Sequence, residues 1–146
     1  MKTSRFLLKI AGGVLIVIFI AIGAAVLTGS VGGPIRWEFS PGYRGWVVVE
    51  YERPECPPLL TKAMHLVIDV PPSGHACTSS PVPKGWHYER YEYVLPGGRR
   101  KVIRSSGWDR NSEITSLSVN AQKKTEFLFV GTREELSKNW ASRPDK

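Results

Sequence analysis

Hydrophobic positions fall into two unlike patterns along the chain. From Ile10 to Leu27 no charged residue appears, and Phe6, Leu7 and Leu8 across Lys9 extend the run to a segment spanning 6–27. At about 1.5 Å per residue such a run crosses the roughly 30 Å hydrocarbon core of a bilayer, so it predicts a single transmembrane helix. Beyond Pro34 the apolar residues alternate in short segments broken by Gly, Pro and Ser, which is the period of strands and turns. Ile35–Phe39 puts Ile35, Trp37 and Phe39 on one face and Arg36 and Glu38 on the other. Gly45–Tyr51, interrupted only by Glu50, reads as a central strand covered on both faces. His65–Val70 alternates until Pro71-Pro72, which cannot continue a ladder. Trp86–Leu95 and Lys101–Ser105 flank the turn Pro96-Gly97-Gly98, and the polar residues 120–124 separate Ile114–Val119 from Thr125–Val130. This spacing predicts an all-β domain, an antiparallel sandwich or small barrel of about seven strands. Thr132 and Glu135 have the S/T-x-x-E spacing that starts a helix, so one short C-terminal helix is expected from Arg133 towards Trp140, followed by a frayed tail at 141–146.

The flanks of the apolar run set its orientation. Lys2, Arg5 and Lys9 precede it and every acidic residue follows it, so the positive-inside rule keeps the basic flank 1–5 in the cytoplasm and places the rest outside. The alternative is a signal peptide cleaved near Gly23-Ala24-Ala25 or Thr28-Gly29-Ser30, which would make the protein secreted. The length and Ile/Val density of the run favour a retained signal anchor, and no Cys lies at its end to carry a lipid. Residues 28–34 form a flexible linker whose root-mean-square reach is only about 15 Å, which holds the domain 35–140 against the membrane.

Composition narrows the class further. The chain has 146 residues, and the part beyond the apolar run is one domain in size. Its five Trp and five Tyr give it enough apolar surface to fold. The pI of 9.6 owes much to the cytoplasmic flank, so the exported part is only mildly basic and nucleic acid is not an expected partner. Cys56 and Cys77, the two cysteines, both lie beyond the span in Pro/Ser-rich loops, and an oxidising compartment favours a disulfide between them.

These segments resemble a family of small exported bacterial proteins that share a domain of unknown function. The resemblance rests on Ser40-Pro41-Gly42-Tyr43-Arg44-Gly45-Trp46-Val47 with Val49 and Tyr51, on Cys56-Pro57-Pro58-Leu59, on Thr78-Ser79-Ser80, on Gly85-Trp86, and on Phe127-Leu128-Phe129-Val130-Gly131-Thr132. It implies an extracytoplasmic all-β domain behind a signal or membrane segment and supplies no catalytic residues.

Candidate chemistry is sparse. His75 and Cys77 form one H-x-C pair that Cys56 with His65 or His87 would complete as a metal site, but a disulfide consumes both thiols, so no metal is expected. No G-x-S-x-G elbow occurs, Glu89 and Glu92 fall on opposite faces of their strand, and Glu50 and Glu52 face solvent together, so neither an enzyme nor a cofactor is expected. Trp86, Tyr88, Tyr91 and Tyr93 crowd one strand on opposite parities, which leaves one pair free to serve as a binding surface unless both are core. Arg99, Arg100, Lys101 and Arg104 follow a hairpin tip and are candidates for contact with anionic lipid or envelope polymer, or else charges that discourage edge pairing. The function expected is therefore a non-enzymatic envelope binding or structural module partnered by the membrane and by an envelope protein or polymer. A carbohydrate-binding module and a secreted enzyme acting on envelope material are the alternatives.

Overall fold

The computed structural model describes residues 33–105 and 111–144. The anchor expected at 6–27 and most of the linker lie outside the described residues. Residues Lys84–His87 belong to a separate unit from the strands on either side of them.

Nine strands form two sheets. In chain order they are β1 (Ile35–Phe39), β2 (Gly45–Glu50), β3 (Leu60–Lys62), β4 (His65–Val70), β5 (His75–Cys77), β6 (Glu89–Val94), β7 (Arg100–Val102), β8 (Ile114–Asn120) and β9 (Thr125–Val130). One sheet has the order β3-β4-β1-β6-β7 and the other β5-β2-β9-β8. Both are mixed: β1 runs parallel to β4 and to β6, and β2 runs parallel to β5, while the remaining pairs are antiparallel. The fold is thus mostly β, with two facing sheets sharing one core and no closed barrel.

The antiparallel expectation is corrected for a definable reason. Gly42, at φ +73, and the turn around it carry the chain from β1 into the other sheet instead of folding it back as a hairpin. β4 and β6 then return to the sides of β1 from the same end at which β1 starts, and a parallel pair is the result. The strands β3 and β5 are additions to the expected seven. Each is three residues long, and neither carries the alternation that marks a strand in sequence.

Alternation explains the core. Ile35, Trp37 and Phe39 from β1, Ile68 and Val70 from β4, and Tyr91 and Tyr93 from β6 face Val47 and Val49 from β2 and Leu128 and Val130 from β9 in one cluster. Trp37 stacks on Tyr91 with ring centroids 5.8 Å apart, and Phe39 stacks on Tyr43 at the same separation. β2 is an interior strand of its sheet, as its apolar run predicts.

The helix α1 (Arg133–Asn139) starts where the capping spacing places it. Thr132 Oγ1 accepts from the Glu135 N–H at 3.2 Å, and Glu135 Oε2 accepts from the Thr132 N–H at 2.6 Å. Arg44 then ties the helix to the sheet, donating to Glu135 and to Glu113 at 2.8 Å each. The Trp46 indole adds a hydrogen bond to the Asn139 carbonyl at 3.1 Å and an aromatic contact with Trp140.

One glycine is fixed by its surroundings. Gly74 sits at φ +76, and a Cβ there would lie 2.1 Å from the Tyr43 hydroxyl and 2.4 Å from the Trp46 carbonyl oxygen, the two atoms joined by a 2.6 Å hydrogen bond. Gly74→Ala is expected to lower the unfolding free energy by about 2–4 kcal/mol, combining a strained backbone with the loss of that bond. Urea denaturation of the two proteins checks this, and a change within error would show that Tyr43 moves aside freely.

Candidate functional site

The five-stranded sheet has an inner face in the core and an outer face that carries charge. Because side chains alternate, Arg36 and Glu38 on β1, Arg90 and Glu92 on β6 and Arg100 on β7 share this outer face. Arg100 donates to Glu38 at 2.5 Å and to Glu92 at 3.2 Å, Arg36 to Glu38 at 2.9 Å, and Arg90 to Glu92 at 2.5 Å. Glu92 is only 2% exposed and Glu38 7%, because the guanidinium stems lie flat across the sheet and cover them. Partial burial pushes the Glu38 carboxyl up, but the hydrogen bond and charge of Arg100, then the charge of Arg36, outweigh it and hold the group below its ordinary range.

A second polar cluster points inward at the end of the core where β1 begins. The Tyr51 hydroxyl donates to Glu126 at 2.6 Å, and the Tyr91 hydroxyl donates to Glu89. The two pairs sense each other electrostatically, since Glu89 acts on Tyr51 and Glu126 on Tyr91. Burial first, and the neighbouring carboxylates second, push both phenols well above the ordinary tyrosine range. These groups can hold a proton firmly between the sheets. They line no described cavity that would admit a substrate.

On the outer face of the other sheet, Val48, Glu50, His75, Lys123, Thr125 and Phe127 are among the residues around a shallow cleft of about 370 Å³. His75 Nε2 there lies 3.8 Å from Glu50.

The residues singled out from sequence are dispersed. Cys56 and Cys77 are joined as a disulfide with their Cα atoms 5.8 Å apart, so neither thiol is available to a metal. Among the described residues no group of three or more His, Cys, Asp or Glu is placed to hold a metal ion. Tyr91 and Tyr93 are core residues, whereas Trp86 and Tyr88 are 75% and 61% exposed, so the four do not make one surface. The strand itself starts at Glu89, which leaves Trp86 and Tyr88 before it. The basic cluster also divides: Arg100 turns onto the charged face, while Arg99, Lys101 and Arg104 are exposed. Since β6 runs parallel to β1, the Pro96–Gly98 turn lies at the end of the sheet opposite Pro34, not beside the start of the domain. Sequence reasoning missed the Arg–Glu network and the Tyr–Glu pairs. Their only signal was the outward parity of Arg36 and Glu38 in a strand otherwise apolar.

Residues 40–139 match DUF6843, a family of unknown function. The chain belongs to this family. No curated protein matches it. Among solved structures, a crystal structure of a candidate lipoprotein from Bacillus anthracis is similar at 22% identity and a TM-score of 0.49, over 75% of this chain and 76% of that one. The DUF6843 match begins at Ser40, so it takes in β2–β9 and all of α1.

Two outcomes follow from the electrostatics. Glu38 contributes stability that is complete above the unfolded carboxylate range near about 4.3 and is lost as pH falls through its lower folded value. Arg100→Gln should therefore cost about 1–3 kcal/mol at neutral pH by taking one of two guanidinium partners from each of two covered carboxylates, with the difference from wild type shrinking in acid. Thermal melts across that range read it, and a pH-independent difference would refute the assignment. At the other extreme Tyr51 and Tyr91 stay protonated in the folded domain, so stability present below about pH 10 declines as the unfolded chain ionises first. Tyrosinate absorbance should show these two phenols ionising only with unfolding, and both titrating freely in the native domain would contradict it.

Proposed function

We propose that the chain is an exported protein held by residues 6–27 as a single membrane span, with its N-terminus in the cytoplasm. Its β domain works outside as a non-enzymatic binding or structural module of the cell envelope. The observation that supports this best is the Cys56–Cys77 disulfide. Disulfides persist in oxidising compartments and are rare in the cytosol, which agrees with the orientation that Lys2, Arg5 and Lys9 dictate. Among the described residues no helix is long and apolar enough to cross a membrane, so the proposed span is assigned to the N-terminal run alone.

The non-enzymatic part rests on where the ionisable groups are. The carboxylates that lie close together are engaged, Glu38 and Glu92 by arginines and Glu89 and Glu126 by phenols. A general acid or base needs one such group facing a substrate.

Membrane fractionation tests the reading. The full-length chain should remain in the pellet after high-salt and carbonate washing, and its mass should include residues 1–27. A soluble form beginning near Val26 or Val31 would replace the anchored reading with a secreted one. The domain should also be two hydrogens lighter than its reduced form, and Cys56→Ser should lower stability by about 3 kcal/mol on the chain-entropy argument. Two freely alkylated thiols in the native protein would remove the export argument.

A further inference from the structure

Parallel pairing concentrates particular groups where the domain begins. Since β4 and β6 start beside β1, the end that receives the chain at Pro34 also holds the β3–β4 turn and the residue preceding β6. The Pro34 carbonyl accepts from Leu66 N–H at 2.9 Å, and the Tyr88 carbonyl accepts from Ile35 N–H at 2.8 Å. The β8–β9 turn reaches the same end, because Tyr51, whose N–H donates to the Lys124 carbonyl at 2.8 Å, lies close enough to Glu89 at the start of β6 for that carboxylate to act on its hydroxyl.

The β3–β4 turn is unusual in its composition. Its two loop residues, Ala63 and Met64, have φ of 47° and 63°, the left-handed values of a two-residue hairpin that Asn-Gly satisfies without strain. Met64 is instead a large apolar side chain, 85% exposed, at the tip of a strained turn. Folding gains nothing from that choice, so the side chain points to a partner outside the domain. Lys62 stands beside it, Tyr88 is 61% exposed, and Lys123, also exposed, lies on the β8–β9 turn at the same end of the domain. Among the described residues neither Lys62 nor Lys123 has an ion pair, whereas Lys124 pairs with Glu52 at 3.3 Å and Arg53 with Glu50 at 3.2 Å.

We propose that this end of the domain docks on the lipid surface, with Met64 inserted at the headgroup–acyl boundary, Tyr88 at headgroup level, and Lys62 and Lys123 on lipid phosphates. The inference rests on the anchored reading above, which supplies the occupant: the seven linker residues 28–34, with a reach of about 15 Å, separate the apolar run from Ile35, one strand away from Met64. A long apolar side chain, an aromatic ring and unpaired lysines are the groups that interfacial anchoring uses. It also assigns anionic contact to Lys62 and Lys123 in place of Arg99 and Lys101, which follow the turn at the opposite end.

The test uses the full-length chain in nanodiscs of phosphatidylcholine with phosphatidylglycerol, where no other protein is present. Met1 and Met64 are the two methionines, so oxidation by chloramine-T followed by mass analysis reports on Met64 cleanly. Met64 should oxidise about fivefold or more slowly than in a free peptide of residues 60–68. Replacing each of Lys62 and Lys123 with Gln should weaken the protection by about fivefold where phosphatidylglycerol is present. An A63N/M64G variant suits the turn better, so it should melt no lower than wild type while its turn amides exchange with deuterium faster in the nanodisc. Oxidation at the free-peptide rate in a chain that still resists carbonate extraction would overturn the docking and leave the anchor standing. Unchanged turn protection in A63N/M64G would do the same, and release of the chain by carbonate would overturn both.

Discussion

Both faces of β1 are closed to water, and the five-stranded sheet is registered on that strand. Its inner face is fixed by Trp37 and Phe39 in the core, and its outer face by Arg36 and Glu38 in the ion network. A slip of one residue would exchange the two sets, placing guanidinium and carboxylate among stacked aromatic rings. That penalty makes the register of β4 and β6 on β1 unambiguous, even though parallel pairing has no turn to dictate it.

The ion network occupies the place that a helix or loop takes over many parallel strands, since a strand buried on two sides needs cover on both. Here the cover is made of arginine stems, and the carboxylates beneath them neutralise the charge that the stems carry. Inside the sheets the balance differs. Glu89 and Glu126 are carboxylates turned towards the core, and phenol hydroxyls meet them where water is scarce. Each solution keeps a polar group satisfied near apolar surface, one by opposite charge and one by neutral donors.

Much of this was legible in the sequence wherever a local rule governs. The alternation of β1 and β4, the interior position of β2, the Thr132–Glu135 cap and the cysteine pair all follow from residue type and spacing. Direction and register of pairing are not local. Nothing in Ser40–Arg44 states that the chain crosses to the other sheet, so parallel neighbours for β1 could not be anticipated. β3 and β5 exist because longer strands offer them a free edge, and residues such as Thr61 or Ala76 carry no mark of it. Arg36 and Glu38 look like solvent-facing residues until their cross-strand partners are known. Tyr91 and Tyr93 are indistinguishable in composition from Trp86 and Tyr88, and only the register separates core rings from exposed ones.

The arrangement of β1 also decides how the domain answers a mechanical load. A pull delivered through Pro34 runs along the axis of an interior strand whose neighbours on both sides point the same way. The slanted backbone bonds on its two flanks then bear the force together in shear, and none can be peeled open singly as at the end of a hairpin. The Cys56–Cys77 bond encloses β3 and β4 within one covalent loop that ends on β5 in the opposite sheet. The residues between the two cysteines cannot be drawn out by such a pull, so the chain lengthens only by the segments outside that loop.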